Sequence, residues 1–171
     1  MSEAKRLQYS IGDEYYGEFN DVGERHGYGV YKWSNGSIYL GQWLNNTCTG
    51  EGIYCVSNGD IYRGRFVNGL LYDKGSRTSF DGHQYIGGYL FGRSEGQGTY
   101  IWPNRDKYVG TWINNDRTGT GVYTWANGDR YEGEFLCGEL HGNGIYYSSD
   151  GTKLEGQWIH GKYIKRLFFT V

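Results

Sequence analysis

A tyrosine returns every 23 residues along this chain, and that spacing limits the fold more than any other feature. The anchors are Tyr15, Tyr39, Tyr62, Tyr85, Tyr108 and Tyr131, with Leu154 in the seventh place; only the first step, of 24 residues, departs from the period. A glycine stands two residues after each anchor: Gly17, Gly41, Gly64, Gly87, Gly110, Gly133 and Gly156. An aromatic residue stands two further on: Phe19, Trp43, Phe66, Tyr89, Trp112, Phe135 and Trp158. Three residue types held in phase over seven copies make the chain a tandem array.

The copy from Lys107 to Asp129, KYVGTWINNDRTGTGVYTWANGD, shows what one unit builds. Rings alternating with small residues between Asn-rich and Asn-Gly turns predict two antiparallel strands. A two-residue turn at Asn114-Asn115, residues that tolerate positive φ, sets Trp112 opposite Arg117, Gly110 opposite Gly119 and Tyr108 opposite Gly121. A three-residue loop, Asn127-Gly128-Asp129, then leads into the next copy and pairs Trp125 with Tyr131, Tyr123 with Gly133 and Gly121 with Phe135. The extra residue of the first copy makes Asp21-Val22-Gly23 a three-residue loop as well. Cross-strand partners share a face. Tyr108, Gly110, Trp112, Gly119, Gly121, Tyr123 and Trp125 therefore lie on one side, where glycine leaves room for the rings.

Tyr-x-Gly-x-[Trp/Phe] followed by Gly-x-Gly-x-Tyr at this period resembles the membrane occupation and recognition nexus (MORN) repeat, over residues 7–171. The resemblance implies an all-β fold, an elongated single-layer twisted antiparallel sheet of tandem β-hairpins of about 23 residues. It also implies a scaffold or docking surface, with the cytoskeleton and cilium as usual settings. Residues 1–6 read as a flexible N-terminal tail, 7–14 as a half-repeat covering the edge, and 15–171 as seven repeats. Repeat three is degenerate, with Asp73, Gly75, Arg77 and Ser79 where Gly, Gly, Tyr and Trp are expected, and its second strand should pack poorly. Repeat seven is terminal. About fifteen strands spaced ~4.8 Å apart would extend on the order of 65–70 Å.

Only 37% of residues are hydrophobic, while 18% are aromatic and 30 are Gly, so the apolar area comes from rings on one face rather than from a thick core. A net charge of −2 supplies no basic stripe for nucleic acid. No run of about 18 apolar residues is present, which predicts no transmembrane segment. The start, MSEAKRLQYS, lacks the apolar core of a signal peptide. Cys48, Cys55 and Cys137 are scattered and odd in number, as expected of reduced thiols in the cytoplasm.

No constellation for catalysis stands out. His26 and His141 precede the Gly-x-Gly of their repeats in phase, which favours a structural role, and His83 and His160 fall in loops. None has a Cys or carboxylate at metal-ligand spacing, so no metal and no cofactor are expected. Glu14, Glu18, Glu132, Glu134 and Glu155 recur on the alternate face and read as solvated charge. The Gly-x-Gly pairs lead into strands instead of a helix N-terminus, which removes the basis for dinucleotide binding. The repeats leave no room for a catalytic domain, and the chain reads as a non-enzyme.

The aromatic face carries the functional expectation, since contiguous apolar surface marks interaction sites. Trp33, Trp43, Trp102, Tyr108, Trp112, Tyr123, Trp125 and Phe135 are the candidate contacts for a helix or extended segment of another protein. A second reading is a module that binds acidic phospholipid through Arg63, Arg65, Lys162, Lys165 and Arg166 beside Phe168 and Phe169; the net charge opposes it. A third is an accessory subunit of an enzyme on another chain. Leu167, Phe168, Phe169 and Val171 end the last strand with apolar side chains on both faces, which points to a tail-to-tail homodimer, to a different subunit covering this edge, or to the tail folding back on repeat seven.

Overall fold

The computed structural model describes residues 4–166. It holds fifteen strands and, among those residues, no helix; strand order in the single antiparallel sheet follows the sequence from first to last. The strands divide into two compact units, Met1–Gly82 with Tyr89–Gly92 and His83–Gly88 with Arg93–Val171. The first holds β1 (Lys5–Gln8), β2 (Glu14–Phe19), β3 (Arg25–Lys32), β4 (Ile38–Leu44), β5 (Thr47–Cys55), β6 (Ile61–Val67) and β7 (Leu70–Thr78). The chain continues through β8 (Gln84–Leu90), and the second unit carries β9 (Arg93–Ile101), β10 (Lys107–Ile113), β11 (Asp116–Thr124), β12 (Arg130–Leu136), β13 (Glu139–Tyr147), β14 (Lys153–Ile159) and β15 (Lys162–Arg166). The self-association residues Leu167, Phe168, Phe169 and Val171 lie outside the described residues.

The hairpin tips form as the turn chemistry predicts. Ile113 pairs with Asp116 and Trp112 with Arg117, leaving Asn114 and Asn115 as the two-residue turn with φ of 51° and 73°. In the first copy Phe19 pairs with Arg25, and Asn20 N–H donates to the Glu24 carbonyl at 2.9 Å, which closes the three-residue loop Asp21-Val22-Gly23.

Beyond the tip the register differs from the expected one. Gly110 pairs with Gly121 and Tyr108 with Tyr123, because the single residue Thr111 faces the three residues Thr118, Gly119 and Thr120. This bulge recurs in the hairpins of β2, β4, β6 and β12. The first glycine of Gly-x-Gly makes it possible: Gly119 has φ of 93°, a region closed to most side chains. In repeat three Asp73 takes that place at φ 68°, a conformation Asp tolerates better than most residues. The connection between hairpins is a three-residue loop, but it comprises Ala126, Asn127 and Gly128: Trp125 N–H donates to the Asp129 carbonyl at 2.9 Å. Tyr123 therefore pairs with Tyr131 and Gly121 with Gly133, two residues from the expected register.

Glycine thus faces glycine from strand to strand. Gly17, Gly29, Gly41, Gly52, Gly64 and Gly75 form one such row in the first unit. Gly98, Gly110, Gly121, Gly133, Gly144 and Gly156 form another in the second. The core of each unit is the line of rings lying over these rows. The edge strand β1 begins at Lys5, two residues ahead of the half-repeat boundary, and pairs Leu7 with Tyr15 as Tyr123 pairs with Tyr131.

Candidate docking site

Five of the six anchor tyrosines lie along their own hairpins, Tyr62 being the exception. A Cβ placed on Gly121 would stand 2.5 Å from the Tyr108 ring, so the ring occupies the volume the glycines leave empty. The ring's hydroxyl donates to the Thr111 carbonyl at 3.0 Å, at the bulge. Tyr15, Tyr39, Tyr85 and Tyr131 make the same bond to Glu18, Gln42, Gly88 and Glu134. Burial pushes the hydroxyls of Tyr15, Tyr108 and Tyr131 up to about 12. The tryptophans tie hairpin to hairpin: the Trp112 indole N–H donates to the Gly98 carbonyl at 3.3 Å and that of Trp158 to Gly144 at 3.2 Å.

Two lines of rings result. In the second unit the inner line runs Tyr85, Trp112, Tyr108, Phe135, Tyr131 and Trp158, in edge-to-face contacts of 4.9–5.5 Å between centroids. All six are buried. Edge-to-face geometry is favoured by the ring quadrupoles. The outer line runs Tyr100, Trp102, Tyr123, Trp125 and Tyr146 at 4.5–5.6 Å, and these rings are half-exposed. The first unit repeats the plan, with an outer line of Tyr9, Tyr31, Trp33, Tyr54 and Tyr62, of which Tyr31 is buried. The eight candidate contacts are therefore split. Trp43, Tyr108, Trp112 and Phe135 belong to the buried line, and Trp33, Trp102, Tyr123 and Trp125 to the half-exposed one.

The outer line is held by carboxylates that sequence reading missed. The Tyr123 hydroxyl donates to Asp106 at 2.7 Å, and the same carboxylate accepts the Ala126 N–H at 2.8 Å. Asp13 does this for Tyr31 and Ser34, and Asp129 for Tyr146 and Ser149. The Tyr146 and Ser149 bonds hold Asp129 down at about 2. Burial pushes Asp106 up, but its bonds from Tyr123 and Ala126 outweigh that and leave it lowered. The signal was in the sequence: an Asp two residues before the anchor at Asp13, Asp60, Asp106 and Asp129. In repeat three Arg77 replaces the tyrosine and meets Asp60 at 2.8 Å. Here β7 is continuous, Leu71 and Ser79 are buried, and the anchor Tyr62 is only half-buried.

On the alternate face Glu18 and Glu134 are more than solvated charge. Glu18 accepts the Tyr28 N–H and Glu134 the Asn143 N–H, both at 2.9 Å, which satisfies donors freed by the bulge. Gln42 does the same for Glu51. Two depressions open on the ring face. One, of about 260 Å³ in the first unit, is lined by Tyr54, Val56, Tyr62, Phe66, Leu70 and Leu71. The other, of about 330 Å³ in the second, is lined by Arg117, Tyr123, Trp125, Phe135, Leu140 and His160.

Solved structures similar to this chain include the TCP10c domain of Drosophila melanogaster Sas-4, at 11% identity and a TM-score of 0.49 over 91% of this chain and 93% of that one. The TCP10 domain of Danio rerio CPAP is similar at 13% identity and a TM-score of 0.29, over 90% and 83%. A streptogramin B lyase follows at 11% identity and 0.23, over 92% and 70%. No curated protein matches. The MORN repeat family model matches residues 15–38, 39–61, 85–107, 108–130 and 131–153, passing over the degenerate copy between. Those five matches take in most of the sequence and coincide with hairpins built on the same anchor tyrosine and bulge glycine, so the chain belongs to the MORN repeat family.

Proposed function

We propose that this chain is a non-catalytic scaffold that binds a helix or extended segment of another protein on its ring face. The observation that carries the reading is the outer line: Trp33, Trp102, Tyr123 and Trp125 keep one side open while neighbouring tyrosine rings hold the tryptophans and Asp106 fixes Tyr123. Rigid, half-exposed Trp and Tyr bury large areas at low entropic cost, and such residues dominate interface hot spots. The buried Trp43, Tyr108, Trp112 and Phe135 support that surface from beneath. A cytoskeletal or ciliary assembly is the setting that family membership suggests.

A photo-crosslinking amino acid placed at Trp125 or Trp33, with Val122 on the alternate face as control, tests this in the source cell. Protein adducts from the ring face alone are expected. Adducts concentrated at Val122, or lipid adducts only, would put the docking surface elsewhere. The tail-to-tail pairing through Leu167, Phe168, Phe169 and Val171 rests on sequence alone. Light scattering of the full chain against one ending at Arg166 checks it, and a full chain that is monomeric at tens of micromolar excludes the pair.

A further inference from the structure

Arg117 stands opposite Trp112 at the tip of its hairpin, and its guanidinium carbon lies over rings: 5.2 Å from the centre of Trp102, 5.4 Å from Tyr123 and 5.7 Å from Tyr108. One terminal nitrogen donates to the Gly138 carbonyl at 2.6 Å. Among the described residues Arg117 forms no ion pair. Of the carboxylates nearby, Asp106 holds Tyr123 and Ala126, Glu139 lines the same depression and meets His160 at 2.7 Å, and the adjacent Asp116 is exposed and makes no ion pair with Arg117.

The same repeat position four copies earlier is Arg25. Arg25 also lies over rings, 4.5 Å from Trp43 and 4.6 Å from Tyr31. Its Nε donates to Asn46 Oδ1 at 3.3 Å and its Nη2 to the Asn46 carbonyl at 3.0 Å. Four copies after Asn46 comes Gly138. The carbonyl bond survives there, but the side chain that occupied Nε is gone, and the second unit's depression opens at that point. A guanidinium has five N–H donors in a planar fork that matches a carboxylate, and a cation removed from water gains most from such a partner.

Building on the docking reading above, we infer that this groove takes a segment of another protein in which an Asp or Glu lies close to an aromatic or branched apolar residue. The carboxylate meets the open donors of Arg117, and the apolar side chain lies on Trp125 and Leu140. Phe135 and Tyr123 lie beneath, so the ion pair forms against rings.

The test is fluorescence anisotropy of the full-length chain against labelled twelve-residue peptides with one Asp or Glu one to three residues from Phe, Leu or Trp. Each is paired with its Asn or Gln counterpart, and phosphatidylserine vesicles form a separate arm. Acidic peptides should bind about tenfold more tightly than their amide counterparts. Arg117→Met should abolish the difference. Gly138→Asn, which rebuilds the arrangement around Arg25 at a position where φ is 82° and Asn46 adopts 67°, should reduce it without removing the charge or lowering stability. Apolar peptides that bind regardless of the acid, or an acid preference that survives both variants, overturn this inference and leave the docking reading standing. No binding to any peptide, or binding to the vesicles alone, overturns both.

Discussion

The Tyr108 ring fills the space that a side chain on Gly121 would need: a Cβ there would stand 2.5 Å from the ring and from its hydroxyl. The glycine is a packing partner of the ring, and the pair is the unit from which the sheet is built. Gly121→Ala must displace a fully buried tyrosine from its bond to Thr111. It should cost about 2–3 kcal/mol, the usual penalty for an overfilled core. Thr120→Ala, next door on the exposed side, should change stability by less than about 0.5 kcal/mol. Urea midpoints of the two variants decide this, and equal shifts would refute it.

Stability should be flat between about pH 4 and pH 9, the ordinary value of the Cys48 thiol that burial pushes up to about 11, and fall on either side. The aspartates that hold the outer tyrosines have folded values below the ordinary one, Asp129 at about 2. Their contribution is complete above the unfolded value near 4 and is lost as pH falls through the folded one. The buried tyrosines shift the other way, with Tyr15, Tyr31, Tyr108 and Tyr131 near 12. Theirs is complete below 10 and is lost as pH rises towards 12. Urea midpoints across pH at constant ionic strength measure both limbs; tyrosinate absorbance reaching the full count of eighteen tyrosines near pH 10 with the sheet intact would contradict the alkaline one.

Phe91 and Arg105 occupy places that the repeat gives to other residues. Phe91 begins a two-residue tip with φ of 48°, where Asn45, Asn68 and Asn114 stand in three other copies. Arg105, at φ 73°, replaces the glycine that closes other inter-hairpin loops, such as Gly128 at φ 92°. Both side chains are exposed, and the ring contact of Phe91 with Tyr72 at 5.6 Å is what its replacement gives up. Phe91→Asn and Arg105→Gly should each add about 1 kcal/mol by relieving the left-handed backbone. Thermal melts of the single and double variants check the gain and its additivity.

Glu134→Ala should destabilise by about 1 kcal/mol by leaving the Asn143 N–H without its acceptor, whereas Glu134→Gln should be close to neutral. Were alanine and glutamine to behave alike, the carboxylate would be surface charge after all.

The period, the ring face, the two-residue tips and the loop at Asp21-Val22-Gly23 were all legible from residue order, because turn chemistry and alternation are local. The register beyond the tip was not. Read as a flat ladder, Gly119 pairs with Gly110; only its positive φ shows that the glycine is there to bulge the strand. Asp73 in the same phase was a usable hint, since Asp is among the residues that accept this conformation. Nor could spacing separate Trp112 from Trp125, one buried and one half-exposed, because burial depends on which ring lies over which. Arg117 could be placed opposite Trp112, but its lack of a counter-ion only emerges once Gly138 is seen beside it.

The first repeat, one residue longer than the others, shows where this architecture can grow. Its additional residue sits at the hairpin tip, where a three-residue loop replaces a two-residue turn and Phe19 still faces Arg25 as Trp112 faces Arg117. The same insertion between Gly110 and Trp112 would turn Trp112 away from its neighbours and leave its indole without the Gly98 carbonyl. Tips are therefore splice points and the strands are not. A foreign loop grafted at Asn114-Asn115 would give up that tip's bonds to Arg93, Ser94 and Glu95 but leave the ring contacts in place, which makes the chain a display framework.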